Sequence, residues 1–121
     1  MGWTFSGDKP IYTQLVERLE KRIVTGEYPP GARLDSVRDL AAEAAVNPNT
    51  MQRALAELEN TGLVYAQRTA GRFVTEDGEK IAALRTRLGR EKIRRFLAEM
   101  RELGYERAEA AALVESEEEE T

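Results

Sequence analysis

The chain contains no cysteine and no histidine. The first absence removes disulfides, thiolate nucleophiles and thiol redox sensing, the second removes imidazole general bases, and together they remove most transition-metal ligands. Chemistry would fall to carboxylates and lysines, and no converging cluster of them is visible, so the expectation is a non-enzymatic protein without metal or cofactor. No stretch approaches the roughly 20 apolar residues of a membrane span, and no cationic stretch followed by an apolar run lies near the start. No membrane partner and a cytoplasmic location are therefore expected. With 121 residues, 41% of them hydrophobic and 33% charged, there is apolar material for one small core and an accessory segment.

The formal net charge of −4 sits oddly with any polyanion partner until its distribution is read. Residues 1–75 carry nine basic and nine acidic side chains, while 76–121 carry nine basic and thirteen acidic ones. Five of those acids are Glu115, Glu117, Glu118, Glu119 and Glu120, a terminal run expected to be solvated. Nucleic-acid affinity follows local phosphate contacts and not the total charge.

The N-terminal part is punctuated clearly. Met1 to Lys9, with Trp3 and Phe5 alternating against polar residues, reads as an extended arm whose aromatics dock on the body. Pro10 opens a first helix, in which Ile11, Leu15, Leu19 and Ile23 repeat at spacing four, Tyr12 and Val16 widen the stripe, and Gly26 ends it. Pro29-Pro30-Gly31 is a turn and Arg33-Leu34 a short extended piece. Asp35 or Ser36 caps a second helix with Val37, Leu40, Ala41 and Ala44 on its inner face, Asp39 standing three residues beyond Ser36 in capping-box style.

Only Ala45 and Val46 separate this helix from Asn47, so two short helices meet across a tight turn, the helix-turn-helix pattern. Asn47 is a good N-cap, Pro48 sits where a missing N–H costs nothing, and Met51, Leu55 and Leu58 form an inward stripe. Asn49, Gln52, Arg53 and Ala56 are left outward. A solvated helix usually carries Glu and Lys there, whereas Asn, Gln, Thr and Arg have donors and acceptors that match base edges in a major groove. The helix runs to Gly62, after which Leu63–Gln67 and Arg72–Thr75 read as two strands joined by Arg68-Thr69-Ala70-Gly71. A hairpin in this place is a wing, with Arg68 and Arg72 flanking a glycine that lets backbone approach a phosphate.

Glu79 to Leu103 is a candidate helix of 25 residues, about 37 Å long. Ile81, Leu84 and Leu88 form its first apolar half and Ile93, Phe96, Leu97, Met100 and Leu103 the second. The stripe slips at Gly89, which fits a bend, a change of packing partner, or a straight helix with one tolerated glycine. Gly104 stops the helix, and Tyr105 to about Val114 forms a short last one, with Ala108, Ala111, Ala112 and Leu113 as apolar candidates. Such stripes are too large to leave in water, so residues 79–121 are read as a two-helix dimerisation segment using Leu113 with the eight apolar residues above. The alternative is that the segment folds back on its own domain. A two-fold dimer would place paired recognition helices about 34 Å apart, in successive major grooves of a palindrome.

In sequence order, Pro10-Ile11-Tyr12, Pro30-Gly31 with Arg33-Leu34, Ser36-Val37-Arg38-Asp39-Leu40-Ala41, Gly62-Leu63-Val64 and Gly71-Arg72-Phe73-Val74 resemble the GntR-type winged helix over roughly residues 10–75. Val46-Asn47-Pro48-Asn49-Thr50, followed by a short C-terminal segment, is similar to the YtrA-like subfamily of bacterial transcription regulators. The resemblance implies DNA contacts from Arg38, from Asn47, Asn49, Thr50, Gln52 and Arg53, and from the wing residues Arg68, Thr69, Gly71 and Arg72. Asp35 stands where the family often has proline, and Pro48 and Gln52 where many members have arginine. The last two differences remove cations from the DNA face and imply weaker non-specific binding.

The expected architecture is mainly α (α+β): a winged helix-turn-helix with its arm over residues 1–78, then the two-helix segment. The expected function is a homodimeric bacterial transcription regulator, most simply a repressor on an inverted-repeat DNA operator. Nothing in the sequence identifies a small-molecule effector. The rival from another class is a winged helix that binds a protein and no DNA, against which the polar recognition face argues.

Overall fold

The computed structural model describes residues 2–119. Glu120, the last of the acidic run, and Met1 lie outside the described residues. The elements are α1 (Ile11–Val24), α2 (Val37–Ala44), α3 (Pro48–Asn60), β1 (Val64–Gln67), β2 (Gly71–Val74), α4 (Gly78–Glu102) and α5 (Arg107–Ser116). They form two compact units, Met1–Leu84 and Arg85–Thr121, with the division falling inside α4.

In the first unit α3 packs against both α1 and α2. Leu15, Leu19 and Ile23 of α1, Leu40, Ala41 and Ala44 of α2, and Met51, Ala54, Leu55 and Leu58 of α3 are buried together with Leu34, Leu63, Val64 and Val74. Ile11, at the head of the α1 stripe, is exposed, so the stripe is effective only from its second turn. Removing one of these fully buried leucine side chains down to alanine would cost about 2–5 kcal/mol.

The helix ends follow from local chemistry. Ser36 Oγ accepts the Asp39 backbone N–H at 3.1 Å, making Ser36 and not Asp35 the cap of α2. Asn47 Oδ1 accepts from the Asn49 N–H at 2.7 Å and caps α3, with Pro48 in its first turn. Between them Ala45 takes the left-handed conformation, φ 58° and ψ 48°, and the Val46 N–H returns to the Ala41 carbonyl at 3.0 Å. This six-to-one closure turns the chain within two residues.

β1 and β2 pair antiparallel, with Val64 opposite Val74, Tyr65 opposite Phe73 and Gln67 opposite Gly71. The strands are shorter than the alternation implied: Leu63 and Thr75 fall outside them, and Gly71 belongs to β2 instead of the loop. A third segment completes the sheet. Arg33 bridges Phe73, the Leu34 N–H donates to the Arg72 carbonyl at 2.9 Å, and the Val74 N–H donates to the Ala32 carbonyl at 2.8 Å. The extended arm docks as its aromatics implied: the Trp3 N–H donates to the Ala44 carbonyl at 3.3 Å, and Phe5 is half-buried.

α4 begins where Asp77 Oδ1 accepts the Glu79 N–H at 3.0 Å, and it continues through Gly89 without interruption. It closes at Gly104, φ 93°, where the Tyr105 N–H reaches the Met100 carbonyl at 3.1 Å. In the second unit the inner residue of α5 is Ala110, beside Leu97 and Tyr105. In the single chain Ala108, Ala111, Ala112 and Leu113 are exposed. Alanine-rich helices carry little directional information, since small side chains on every side give no distinct stripe.

Candidate nucleic-acid interface

Because Met51, Ala54, Leu55 and Leu58 face the core, the rest of α3 must face outward, and it does: Asn49, Gln52 and Arg53 are exposed and Ala56 is half-buried. At about 100° per residue these four positions fall within a wedge roughly 100° wide. Asn47 and Thr50 stand at the start of the same helix, Asn47 exposed and Thr50 half-buried. That N-terminus bears the positive end of the helix dipole, which favours a phosphate. Asn47 uses its side-chain oxygen in the cap, leaving its amide N–H groups as donors.

The cations around this face differ in what holds them. Arg38, exposed in the first turn of α2, makes no ion pair with any described residue. Glu43, near the other end of α2, is engaged elsewhere. It accepts from Trp3 Nε1 at 3.0 Å and is paired with Arg22, which also reaches Glu27 at 3.2 Å and the Tyr28 hydroxyl at 2.9 Å. The Arg22 hydrogen bond holds the Glu43 carboxyl below its ordinary range, and burial pushes the Tyr28 hydroxyl upward. The indole of Trp3 lies under the guanidinium carbons of Arg18, at 5.0 Å, and Arg22, at 4.9 Å, so the arm is clamped to α1 and α2.

Arg53 lies over the Tyr12 ring, 3.7 Å from its centre. The contact orients the guanidinium without neutralising it, so Arg53 still carries its charge on the outward face. Tyr12 was assigned from sequence to the core stripe alone. No local pattern pairs Tyr12 with Arg53, since the contact depends on where α1 and α3 cross.

The wing presents Arg68 and Thr69, both exposed, in the loop before Gly71, which has φ 104°. Tyr65 and Phe73 stack across the strands with ring centres 5.7 Å apart. Arg72 is different: its Nε lies 2.6 Å from Glu59 Oε1 and its side chain is only 21% exposed. Arg33, not among the site residues expected from sequence, is exposed next to Gly71. Among the proposed dimerisation residues, Leu84 is 5% exposed within the single chain, so its side chain is already packed and is corrected to a core position. Ile81, Leu88, Leu97 and Met100 are half-buried. Ile93, Phe96, Leu103 and Leu113 are 54%, 38%, 75% and 41% exposed, and Val114, not foreseen, is 55% exposed.

Among the described residues no group of three or more carboxylates is placed to hold a metal ion, and no helix is long and apolar enough to cross a membrane.

The sequence profile of the bacterial regulatory proteins, gntR family, matches residues 11–74. The uncharacterised HTH-type transcriptional regulator YhcF of Bacillus subtilis is 40% identical over 105 residues, which is 87% of each chain. The HTH-type transcriptional repressor YtrA of the same organism is 36% identical over 70 residues, 58% of this chain and 54% of that one. A GntR family transcriptional regulator from Listeria monocytogenes superposes with a TM-score of 0.85 at 41% identity, covering 94% of this chain and 100% of its own. The DNA-binding domain of AraR, solved in complex with its operator ORX1, superposes with a TM-score of 0.56 at 26% identity over 60% of this chain and 93% of that one.

Proposed function

Because the chain belongs to the gntR family of bacterial regulatory proteins, and so is a DNA-binding transcription regulator, we propose that it acts as a homodimeric repressor on an inverted-repeat operator. The observation that carries this reading is the outward face of α3. Its four core residues are fully buried while Asn49, Gln52 and Arg53 are left in solvent. In the proposed complex Gln52 reads a base edge, a bidentate contact worth about 1–3 kcal/mol of discrimination. Asn47, Asn49 and Thr50 meet the groove at the helix start, Arg53 and Arg38 bind phosphate, and Arg68, Thr69 and Gly71 bring the wing to the backbone. The repressor YtrA among its relatives and the AraR domain solved on an operator support the assignment.

Ile93, Phe96, Leu103, Leu113 and Val114, all exposed apolar side chains of the second unit, support a second copy as partner. One recognition helix reads few base pairs, and a two-fold pair reads a palindrome.

The test begins with selection of bound duplexes from a random DNA pool, followed by footprinting. Gln52→Ala and Arg38→Ala are expected to abolish protection of the selected site while leaving the thermal transition unchanged. If both variants protect the same site at unchanged affinity, the assigned face is wrong. Sedimentation at micromolar concentration should show a dimer that Phe96→Glu converts to a monomer. A monomeric wild type would remove the two-fold reading.

A further inference from the structure

The geometry points to Arg33, on the extended segment that precedes α2, as the phosphate-binding cation at the base of the wing, with Arg72 acting as a brace. This rests on the reading that the wing approaches DNA.

Arg72 lies in the hairpin itself and from sequence is the natural phosphate ligand. Its guanidinium, however, is mostly covered and bonded to Glu59 at the end of α3, 2.6 Å from Nε to Oε1. A cation so paired has its charge compensated, and releasing it would leave Glu59 as an uncompensated carboxylate beside the duplex. The pair ties β2 to α3 and so fixes the hairpin against the recognition helix.

Arg33 has the opposite properties. It is exposed and makes no ion pair with any described residue. Its backbone is anchored to the wing by the bridge to Phe73 and the neighbouring Leu34 to Arg72 hydrogen bond. Its guanidinium lies against Gly71: a Cβ built on that glycine would be 3.1 Å from Arg33 Nε and 3.5 Å from Nη2. The missing side chain at position 71 therefore makes room for the arginine, while φ 104° independently favours glycine there. Arg68, in the loop that runs into Gly71, is also exposed and makes no ion pair with any described residue. Arg33 against Gly71 and Arg68 three residues before it thus bring cations from two separate segments to the wing. A guanidinium with an open donor edge suits a phosphate, which it can grip with two parallel N–H bonds. Because the partner is backbone, the contact stabilises every sequence alike.

The test measures binding of two duplexes by fluorescence anisotropy between 50 and 200 mM salt, one selected by the protein from a random pool and one of random sequence. Arg33→Ala, which removes one phosphate contact from each protomer of the dimer, is expected to lower the magnitude of the log–log salt slope by about two and weaken both duplexes by about tenfold or more, leaving their ratio unchanged. Arg33→Lys should restore the slope. The double variant Glu59→Gln with Arg72→Gln should keep the wild-type slope and lose thermal stability. Arg33→Gln guards against misfolding, since it keeps a polar side chain with part of the methylene stem at this exposed position and removes the guanidinium and its charge. An unchanged slope in Arg33→Ala and Arg33→Gln, while Gln52→Ala still impairs the selected duplex, would overturn the role of Arg33 and leave the interface intact. A slope reduced by about two in the Glu59/Arg72 double variant would return the role to Arg72. If Gln52→Ala, Arg38→Ala and Arg33→Ala all bind as wild type does, the interface fails and this inference with it.

Discussion

Replacing Ala45 by glycine should stabilise the protein. Ala45 is the one non-glycine residue with positive φ among the described residues, at φ 58° and ψ 48°, and it forms the turn between α2 and α3. An L side chain in that region brings Cβ against the following carbonyl, at about 1–2 kcal/mol. Glycine removes that strain but loses more chain entropy on folding, about 0.4–1 kcal/mol by comparison with alanine. Ala45 is exposed, so little burial is lost with its methyl, although Gly2 of the arm lies close to it. The balance is a gain of about 0.5–1 kcal/mol, which in a folding unit of this size raises the melting temperature by about 2–8 °C. Calorimetry of wild type and Ala45→Gly would check it, with Ala45→Val melting below both because a β-branched side chain tolerates this region worst. DNA affinity should stay within about twofold, since the hydrogen bonds that set the turn are made by backbone. A glycine variant that melts at or below the wild-type temperature would refute the strain argument.

Tyr12→Leu removes the ring beneath Arg53 but keeps an apolar side chain on α1. It should lower stability by about 0.5–1 kcal/mol and weaken DNA binding several-fold, while Tyr12→Phe, which keeps the ring, should do neither. Anisotropy titrations paired with thermal melts would separate the two effects. The Glu43 carboxyl is held below its ordinary value of about 4.5 by the Arg22 hydrogen bond, with that from Trp3 adding to it. Its contribution to stability is present above that pH and is lost as pH falls through the depressed value. Thermal melts of wild type and Glu43→Gln should therefore differ at pH 7 and converge in acid. A difference that widens in acid would mean that the charge on Glu43 does not stabilise the arm.

What could be read from the chain was whatever had a strong period or a strong terminator. The α1 stripe, the caps at Ser36 and Asn47, and the glycines at 62 and 104 are each decided by neighbours a few residues away, and the structure places them as those neighbours dictate. The outer face of α3 was legible for the same reason, since locating its buried stripe locates its opposite side. Arg33 and Arg72 were not. Both are arginines in extended segments, and only the pairing of residues 33 and 73, forty positions apart, decides which one meets a carboxylate and which lies beside a glycine. The stacking of Tyr12 with Arg53 was hidden likewise, because it depends on where two helices cross. Ala110, the buried residue of α5, was not legible either, because several alanines in a row define no direction.

The short strand segment at residues 32–34 makes the wing and the second helix mechanically one piece. A force on the hairpin passes through the rungs at Ala32 and Leu34 and arrives two residues later at the serine that starts α2. On the proposed reading, in which the loop tip and Arg38 both grip DNA, the two are levers on a common frame, so substitutions at the two places should give energies that do not add.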